Sequence, residues 1–275
     1  MKISNTFGMA LVSAFLIAAA PLPNNNAAHA QTASFETVTI APYQESNIAE
    51  YVSATHLAYI ASDRSAINQD VEDGLSTLAQ TLNERTSINP PGVVQLNLAT
   101  DDLSLFPLIY WPITFGADDV SDDEYTKLRN YVRSGGLLVM DRFDGDFAPG
   151  GDSEMNAILA RLNTGALQPI NYTHPIAQSH YLVLPDDDQL PEGELWVQRQ
   201  STRNVGAVEM VSSVIVTSGG WARSWGAIDV PSQSREQEIS LRVGVNMLSY
   251  ALNGHLKQDS SYQPYIQERL ENLMP

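Results

Sequence analysis

Cysteine is absent from this sequence of 275 residues. A chain without cysteine has no disulfide bonds, no thiol nucleophile and no thiolate ligands for a metal ion. Its folded state must therefore be stabilised by its own apolar core. The Gly-x-Ser-x-Gly turn of α/β-hydrolases and the glycine-rich loops that bind phosphate groups are missing as well. The common nucleophile and nucleotide-binding motifs are therefore excluded.

Basic residues are scarce in this chain. It has 15 Lys and Arg against 32 Asp and Glu, which gives a formal net charge of −17. Nucleic acids and anionic lipid surfaces attract proteins through clustered basic residues. The charge therefore argues against both as partners. It is typical of a protein kept soluble by an acidic surface, and a cation-binding surface is the alternative.

Long apolar runs are also absent, apart from one at the N-terminus. Residues 7–20 are apolar or small, a length that suits the core of a signal peptide and is too short to span a bilayer. Lys2 precedes this run, and the small residues of Ala28-His29-Ala30 follow it in the pattern that signal peptidase reads. We therefore expect cleavage near Ala30, a periplasmic or secreted location, and no membrane span in the mature chain.

The remaining sequence predicts one α/β domain at 55–275, preceded by a leader at 31–54 with a possible edge strand at 35–40. Strands are predicted at 56–61, 93–98, 108–111, 137–140, 195–198 and 211–216. Helices are predicted at 67–82, 121–134, 153–162, 236–252 and 262–273. Strands that alternate with helices over short connections indicate a mostly parallel sheet flanked by helices. The segment 163–194 is the least regular and is predicted to be a covering loop.

Three stretches together resemble one protein family. They are Phe106-Pro107-Leu108-Ile109-Tyr110-Trp111-Pro112, Tyr131-Val132-Arg133-Ser134-Gly135-Gly136-Leu137-Leu138-Val139-Met140-Asp141, and Arg242-Val243-Gly244-Val245-Asn246-Met247-Leu248-Ser249-Tyr250-Ala251-Leu252-Asn253-Gly254. In this combination the chain resembles the domain of unknown function 4159 family (DUF4159) of bacterial envelope proteins, over roughly 55–273.

The resemblance implies a fold and a role. The family resembles the class I glutamine amidotransferase-like fold, a flavodoxin-like parallel sheet with helices on both faces. Active amidotransferases carry a cysteine nucleophile at a sharp turn after a strand, and the corresponding stretch here is Asp141-Arg142-Phe143-Asp144-Gly145. It contains neither cysteine nor serine. Family members are often fused to membrane-anchored von Willebrand-type modules, which implies an accessory role in an envelope complex.

Ligands of open parallel sheets bind outside the carboxyl ends of the strands. Three segments of this sequence are expected to reach that edge, and they supply most of the candidate ligand-binding residues. These are Trp111 with Thr114, then Asp141, Arg142 and Asp144, and finally Gly219, Gly220 and Trp221 after Ser218.

The loop after the predicted strand 137–140 is rich in acidic residues. Asp141, Asp144, Asp146 and Asp152 lie close together in sequence and are separated by glycines. Carboxylate oxygens on such a loop suit a hard cation such as calcium, although the spacing is not that of an EF-hand. The alternatives are a solvated glycine-rich loop and a local ion pair between Asp141 and Arg142.

Two further pairs are candidates for chemistry or binding. His180 is a candidate general base with Asp141 as the residue that orients it. Arg242 and Asn246 lie four residues apart on one face of the predicted helix 236–252. If Arg242 is buried it needs a partner, either an Asp of the acidic loop or a carboxylate or sugar ligand.

Three functions remain open from the sequence. The leading hypothesis is an exported domain without catalytic activity that binds an envelope protein partner or a small-molecule ligand and needs no cofactor. The second is a hydrolase that uses Asp141 or Asp144 with His180, with or without a metal ion. The third is a calcium-stabilised interaction module.

Overall fold

A computed structural model describes residues 38–116, 120–170, 174–183, 195–198, 212–227 and 234–253. The predicted signal peptide at 1–30 and the predicted terminal helix at 262–273 lie outside these ranges. No helix within them is both long enough and apolar enough to cross a membrane.

Eight strands of the described chain form one sheet. The strands are β1 (Thr39–Pro42), β2 (Leu57–Ile60), β3 (Gly92–Leu96), β4 (Leu108–Ile113), β5 (Leu137–Arg142), β6 (Leu167–Pro169), β7 (Trp196–Gln198) and β8 (Val214–Ser218). Their order across the sheet is β1-β3-β2-β4-β5-β8-β7-β6. Pairing is parallel from β1 to β8 and antiparallel for the last two pairs.

Six helices flank this sheet in the described residues. They are α1 (Ile48–Ser53), α2 (Ser65–Arg85), α3 (Asp122–Arg133), α4 (Ser153–Leu162), α5 (Trp221–Gly226) and α6 (Ser234–Leu252). The five central strands β3-β2-β4-β5-β8 reproduce the flavodoxin order 2-1-3-4-5 when they are counted along the chain. The predicted α/β class with a mostly parallel, flavodoxin-like sheet is thereby confirmed.

Local sequence signals explain where one helix and its following strand begin. Ser121 caps α3 through the amide of Glu124, and the Glu124 carboxylate accepts from the amide of Ser121, so the predicted capping box is present. After α3 the chain turns at Gly135, which has a φ of 100°. This left-handed conformation favours glycine and lets β5 start immediately afterwards.

The possible edge strand at 35–40 lies partly outside the described residues, and β1 begins at Thr39. Two other local predictions were wrong. The strand β6 lies inside the segment predicted to be a covering loop. Pro112 was expected to end a strand but lies within β4. The carbonyls of Pro107, just before β4, and of Ile113 accept from the amides of Leu137 and Phe143 on the β5 side, so the alternate position Pro112 faces β2. Pairing with β2 ends at Tyr110, and the missing N–H of Pro112 therefore costs no ladder hydrogen bond.

Side chains alternate between two apolar layers. In β5, Leu137 and Val139 pack with α2, α5 and α6, whereas Leu138 and Met140 pack with α3 and α4. This period of two is the ordinary geometry of a strand. It decides which layer each polar residue at the end of β5 will enter.

Candidate functional site

The strand order locates the crevice in which flavodoxin-like sheets bind ligands. The chain reverses its direction of winding between β2 and β4, and the crevice lies outside the carboxyl ends of these two strands. The residues that follow β2, β4 and β5 therefore meet at this place, which we call the switch-point edge. The acidic loop after β5 borders it.

Asp141 sits beside this edge but is completely buried. Its Oδ2 accepts hydrogen bonds from the Tyr110 hydroxyl and from the amide of Trp221 at 2.6 Å, and its Oδ1 accepts from the amide of Gly220 at 3.3 Å. The amide of Ala222 in turn donates to the Tyr110 oxygen at 3.3 Å. Asp141 and Tyr110 together therefore satisfy the first amides of α5, which is a structural role.

Burial also changes the acidity of this pair. It raises the pKa of the Asp141 carboxyl, an effect that the hydrogen bonds from Tyr110, Trp221 and Gly220 oppose. It raises the pKa of Tyr110 well above the ordinary value, and the neighbouring Asp141 carboxylate adds to this effect. No part of either side chain reaches solvent.

Arg142 points to the opposite face of β5 because neighbouring strand residues alternate. Its guanidinium is fully buried, with Nη2 2.8 Å from Oε2 of Glu154 and Nε 2.9 Å from Oδ2 of Asp152. Asp152 also caps α4 by accepting from the amides of Glu154 and Met155. The sequence-based alternative of an ion pair between Asp141 and Arg142 was therefore wrong, since the two side chains lie in different layers.

Phe115 covers the guanidinium of Arg142. The Cζ of Arg142 lies 3.8 Å from the centroid of the Phe115 ring, and 59% of Phe115 is exposed. The amide of the next residue, Gly116, donates to Oε1 of Glu154 at 2.7 Å. These contacts hold the end of β4 against the start of α4.

Asp144 and Arg64 complete the switch-point edge. Oδ2 of Asp144 accepts from the amide of Phe115 at 3.0 Å and lies 3.3 Å from Nη1 of Arg64. Nη2 of Arg64 donates to the Phe115 carbonyl at 3.1 Å. The residues that follow β2, β4 and β5 are thus linked to one another through the backbone of Phe115.

Three buried polar atoms of Arg142 and Asp144 have no hydrogen-bond partner among the described residues. They are Nη1 of Arg142, a donor, Oδ1 of Asp144, an acceptor, and Nε of Arg142. The Nε is 2.9 Å from Oδ2 of Asp152 but is not aligned for a hydrogen bond. Unsatisfied buried polar atoms are uncommon, since each costs about 1–3 kcal/mol.

The four carboxylates considered for calcium serve different purposes. Asp141 holds α5, Asp152 pairs with Arg142, Asp144 pairs with Arg64, and Asp146 is exposed to solvent. Among the described residues, no group of three or more His, Asp and Glu side chains is arranged to hold a metal ion.

The tryptophans and glycines expected to line a ligand site instead pack in the core or form a turn. Trp111 and Trp221 are buried in opposite apolar layers. Gly219 and Gly220 have φ angles of 87° and 75°, so they form the left-handed turn from β8 into α5. The amide of Gly219 donates to the carbonyl of Arg142 at 3.1 Å, which fixes this turn to β5.

His180, Arg242 and Asn246 form a separate group that includes no contact with Asp141. The buried Asn246 side chain accepts from the amides of His180 and Tyr181 at 3.0 and 2.7 Å and donates to the Tyr181 carbonyl. The His180 ring is exposed and packs edge-to-face against Tyr181, with ring centroids 4.7 Å apart. The sequence-predicted candidates therefore do not converge on one pocket in the described part of the chain.

Arg242 corrects one expectation from the sequence. Its side chain is 45% exposed and pairs with Glu238, one helical turn earlier on α6, at 2.8 Å. It is therefore not a buried arginine in need of a partner from the acidic loop. The face of α6 at this position looks outward, so solvent and Glu238 satisfy the guanidinium.

The geometry after β5 differs from a nucleophile turn. Such a turn joins a strand directly to a helix and holds its nucleophile in a strained backbone conformation. Here the residues 143–152 separate β5 from α4, and none of the residues 141–145 has a positive φ.

The most important residues that sequence reasoning missed are Arg64, Phe115 and Glu154. Phe115 lies just after β4, and Glu154 lies in the first turn of α4. Arg64, by contrast, is 80 residues from its partner Asp144.

A protein-family model matches this chain. The family described as domain of unknown function DUF4159 matches residues 56–252, most of the chain. No curated protein matches the sequence significantly.

Proposed function

The chain belongs to the DUF4159 family, and we propose that it is an exported accessory protein of the bacterial cell envelope. It binds a small-molecule ligand or a partner protein at the switch-point edge and does not catalyse a reaction on it. No cofactor is needed for this role.

The main support for this proposal is that the polar residues at the switch-point edge are already engaged in ion pairs and hydrogen bonds. The charged groups there are paired with one another, and Asp141, one of the two carboxylates considered for a hydrolase, is buried with its oxygens already accepting hydrogen bonds. A general base must reach the proton that it removes. An exposed ring, Phe115, stands in the middle of this paired set. Such a surface is suited to recognition.

The relation to amidotransferases is part of the proposal. The strand order supports descent from a class I glutamine amidotransferase-like fold, and the loss of the nucleophile at 141–145 supports a change from catalysis to binding. Export rests on the signal pattern at 1–30. N-terminal sequencing of the protein recovered from the periplasm or medium is expected to start at Gln31.

Site-specific photo-cross-linking tests the proposed function. A photoreactive residue replaces Phe115 at the switch-point edge, and a matched variant carries it at Val52, which is 72% exposed on α1. We expect a discrete cross-linked product from envelope extract at position 115 and none at position 52. Turnover in a hydrolase screen that Asp141→Asn abolishes without lowering the melting temperature would contradict the proposal.

A further inference from the structure

We propose that a cavity between the C-terminal ends of α3 and α4 binds a small molecule through a doubly charged oxyanionic group, which Arg129 and Arg133 hold. The cavity lies at the amino ends of β5 and β8, where Gly135 and Ser213 line it. It is therefore at the opposite edge of the sheet from the switch-point edge. The proposal adds a second site and does not depend on the function proposed for the first.

The cavity has the size and the mixed lining of a ligand site. Its volume is about 530 Å³, and small-molecule pockets usually measure about 300–1,000 Å³. Val132 and Leu162 supply an apolar part of its wall, and Asn163 and the two arginines supply a polar part. None of the described residues that line it is acidic. In a chain with a net charge of −17, the cavity is thus a locally basic place.

The two arginines differ from most others in their lack of a carboxylate partner. Six of the nine arginines in the described ranges form ion pairs with carboxylates, namely Arg64, Arg85, Arg142, Arg161, Arg223 and Arg242. The three that form none within those ranges are Arg129, Arg133 and Arg235. Two of these three line the same cavity.

Arg129 is held in a fixed position at the cavity wall. Its Nη1 donates to the carbonyl of Arg161 at 2.8 Å, and its Nη2 donates to the hydroxyl of Thr126 at 2.7 Å. Both acceptors are uncharged, so the positive charge is not neutralised, and the other N–H groups of the guanidinium remain available. A side chain that is ordered in advance loses less entropy when a ligand binds.

Arg133 lies one turn further along the same face of α3. It is exposed, and its guanidinium forms no hydrogen bond or ion pair with the part of the chain that the structure describes. Like charges four residues apart on a helix repel each other. The negative end of the α3 dipole offsets this repulsion in part, because Arg133 is in the last turn. A bound anion would supply the compensation that no described carboxylate gives.

Two adjacent guanidinium groups select the class of ligand. A guanidinium donates two parallel hydrogen bonds to the oxygens of a carboxylate or a phosphate group. Two such cations on one wall favour a dianion, either a phosphate monoester or a dicarboxylate, over a monoanion. The apolar side chains of Val132 and Leu162 can contact the carbon skeleton of the same ligand.

Calorimetric titration at constant ionic strength tests the site. The probes are glucose 6-phosphate, a phosphate monoester, and succinate, a dicarboxylate, with glucose and acetate as neutral and singly charged comparators. We expect saturable binding of at least one dianion, about tenfold or more tighter than that of acetate, and no binding of glucose. The dianion that binds more tightly distinguishes a phosphate ligand from a dicarboxylate.

Arginine variants locate the binding. Arg133→Met is expected to weaken binding of the dianion by about tenfold or more, and it leaves the fold intact because Arg133 is exposed and unpaired in the described chain. Arg129→Met is expected to have a similar effect, and urea denaturation shows whether it also destabilises the protein. Arg235→Met is the matched control, since this exposed arginine on α6 does not line the cavity. It is expected to leave affinity within about twofold.

Three outcomes would overturn the site. The first is the absence of saturable binding by both dianions. The second is glucose binding as tight as that of glucose 6-phosphate. The third is dianion binding that Arg133→Met weakens no more than Arg235→Met does, which would indicate a general attraction between charges. Cross-linking at Phe115 tests the other edge of the sheet, so neither result decides the other.

Discussion

The hydroxyl of Tyr110 in β4 donates a hydrogen bond to the carboxylate of Asp141 in β5, and both side chains accept from amides of the first turn of α5. Two strands therefore hold one short helix from its buried end. This helix packs tightly against α2, where a Cβ on Gly74 would lie only 2.2 Å from the carbonyl oxygen of Ala222. The pair therefore gives Asp141 a structural role at the buried end of α5.

Replacement of Asp141 is expected to destabilise the protein. Asp141→Ala leaves the Tyr110 hydroxyl and the amides of Gly220 and Trp221 buried without an acceptor, at a cost of about 3 kcal/mol in the free energy of unfolding. Asp146→Ala, at an exposed position of the same loop, is expected to change it by less than about 0.5 kcal/mol. Urea denaturation measures both. An unchanged unfolding midpoint for Asp141→Ala would assign this residue to something other than structure.

Arg142 is expected to be more important for stability than an exposed arginine. Arg142→Met leaves the carboxylates of Asp152 and Glu154 together without a buried counter-charge, which costs about 3–5 kcal/mol. The comparison is Arg161→Met, since Arg161 pairs with an almost fully exposed Asp122, and exposed pairs contribute at most about 1 kcal/mol. Equal unfolding midpoints for the two variants would contradict the buried network.

His174 is expected to make stability depend on pH. Burial lowers the pKa of His174 to about 4, whereas a histidine in the unfolded chain titrates near pH 6.5. Between these values the unfolded chain binds more protons, so the free energy of unfolding falls as pH drops, by about 3 kcal/mol for this residue.

A matched variant isolates this contribution from that of the carboxylates. His174 accepts the amide hydrogen of Ile176 at 3.2 Å, and His174→Asn preserves such an acceptor while it removes the titration. Urea denaturation at pH values between about 4 and about 7 is expected to give a shallower dependence for the variant. The same slope for both proteins would show that His174 is protonated in the folded state.

Calcium is not expected to stabilise the protein through the acidic loop. Asp144 and Asp152 are engaged with arginines, and Asp141 faces the other layer of the fold. Thermal denaturation of chelator-treated protein is expected to give the same melting temperature with and without millimolar calcium, because a ligand stabilises only where it binds the folded state. A saturable rise that Asp144→Asn abolishes would instead support a calcium site.

The sequence predicted the layers of this fold better than its contacts. Apolar runs and capping signals located most strands and helices, but the predicted strand 137–140 stopped where charged residues began. The strand in fact continues through Asp141 and Arg142. Had those two residues been included, alternation alone would have placed them in opposite layers and excluded an ion pair between them.

The remaining parts of the site depend on contacts that are distant along the chain. Arg64 reaches Asp144 across 80 residues, and no local pattern marks this pair. Phe115 follows a proline-containing strand and does not belong to any helical or strand-like periodicity in the sequence. Its position over Arg142 arises from the packing of β4 beside β5. The three-residue strand β6 lacks an apolar run long enough to be recognised.

The opposite orientation of Asp141 and Arg142 also helps to fix the register of β5 in the sheet. Sliding β5 by one residue would turn each of its side chains to the other face. The arginine would then be driven among Tyr110 and Trp221, and the aspartate would meet the carboxylates of Asp152 and Glu154. A misaligned sheet would thus bury one charge among aromatic rings and place three acids together. Asp141 and Arg142 thereby destabilise the one-residue register shift of β5. A strand with apolar residues at both positions would tolerate that shift more easily.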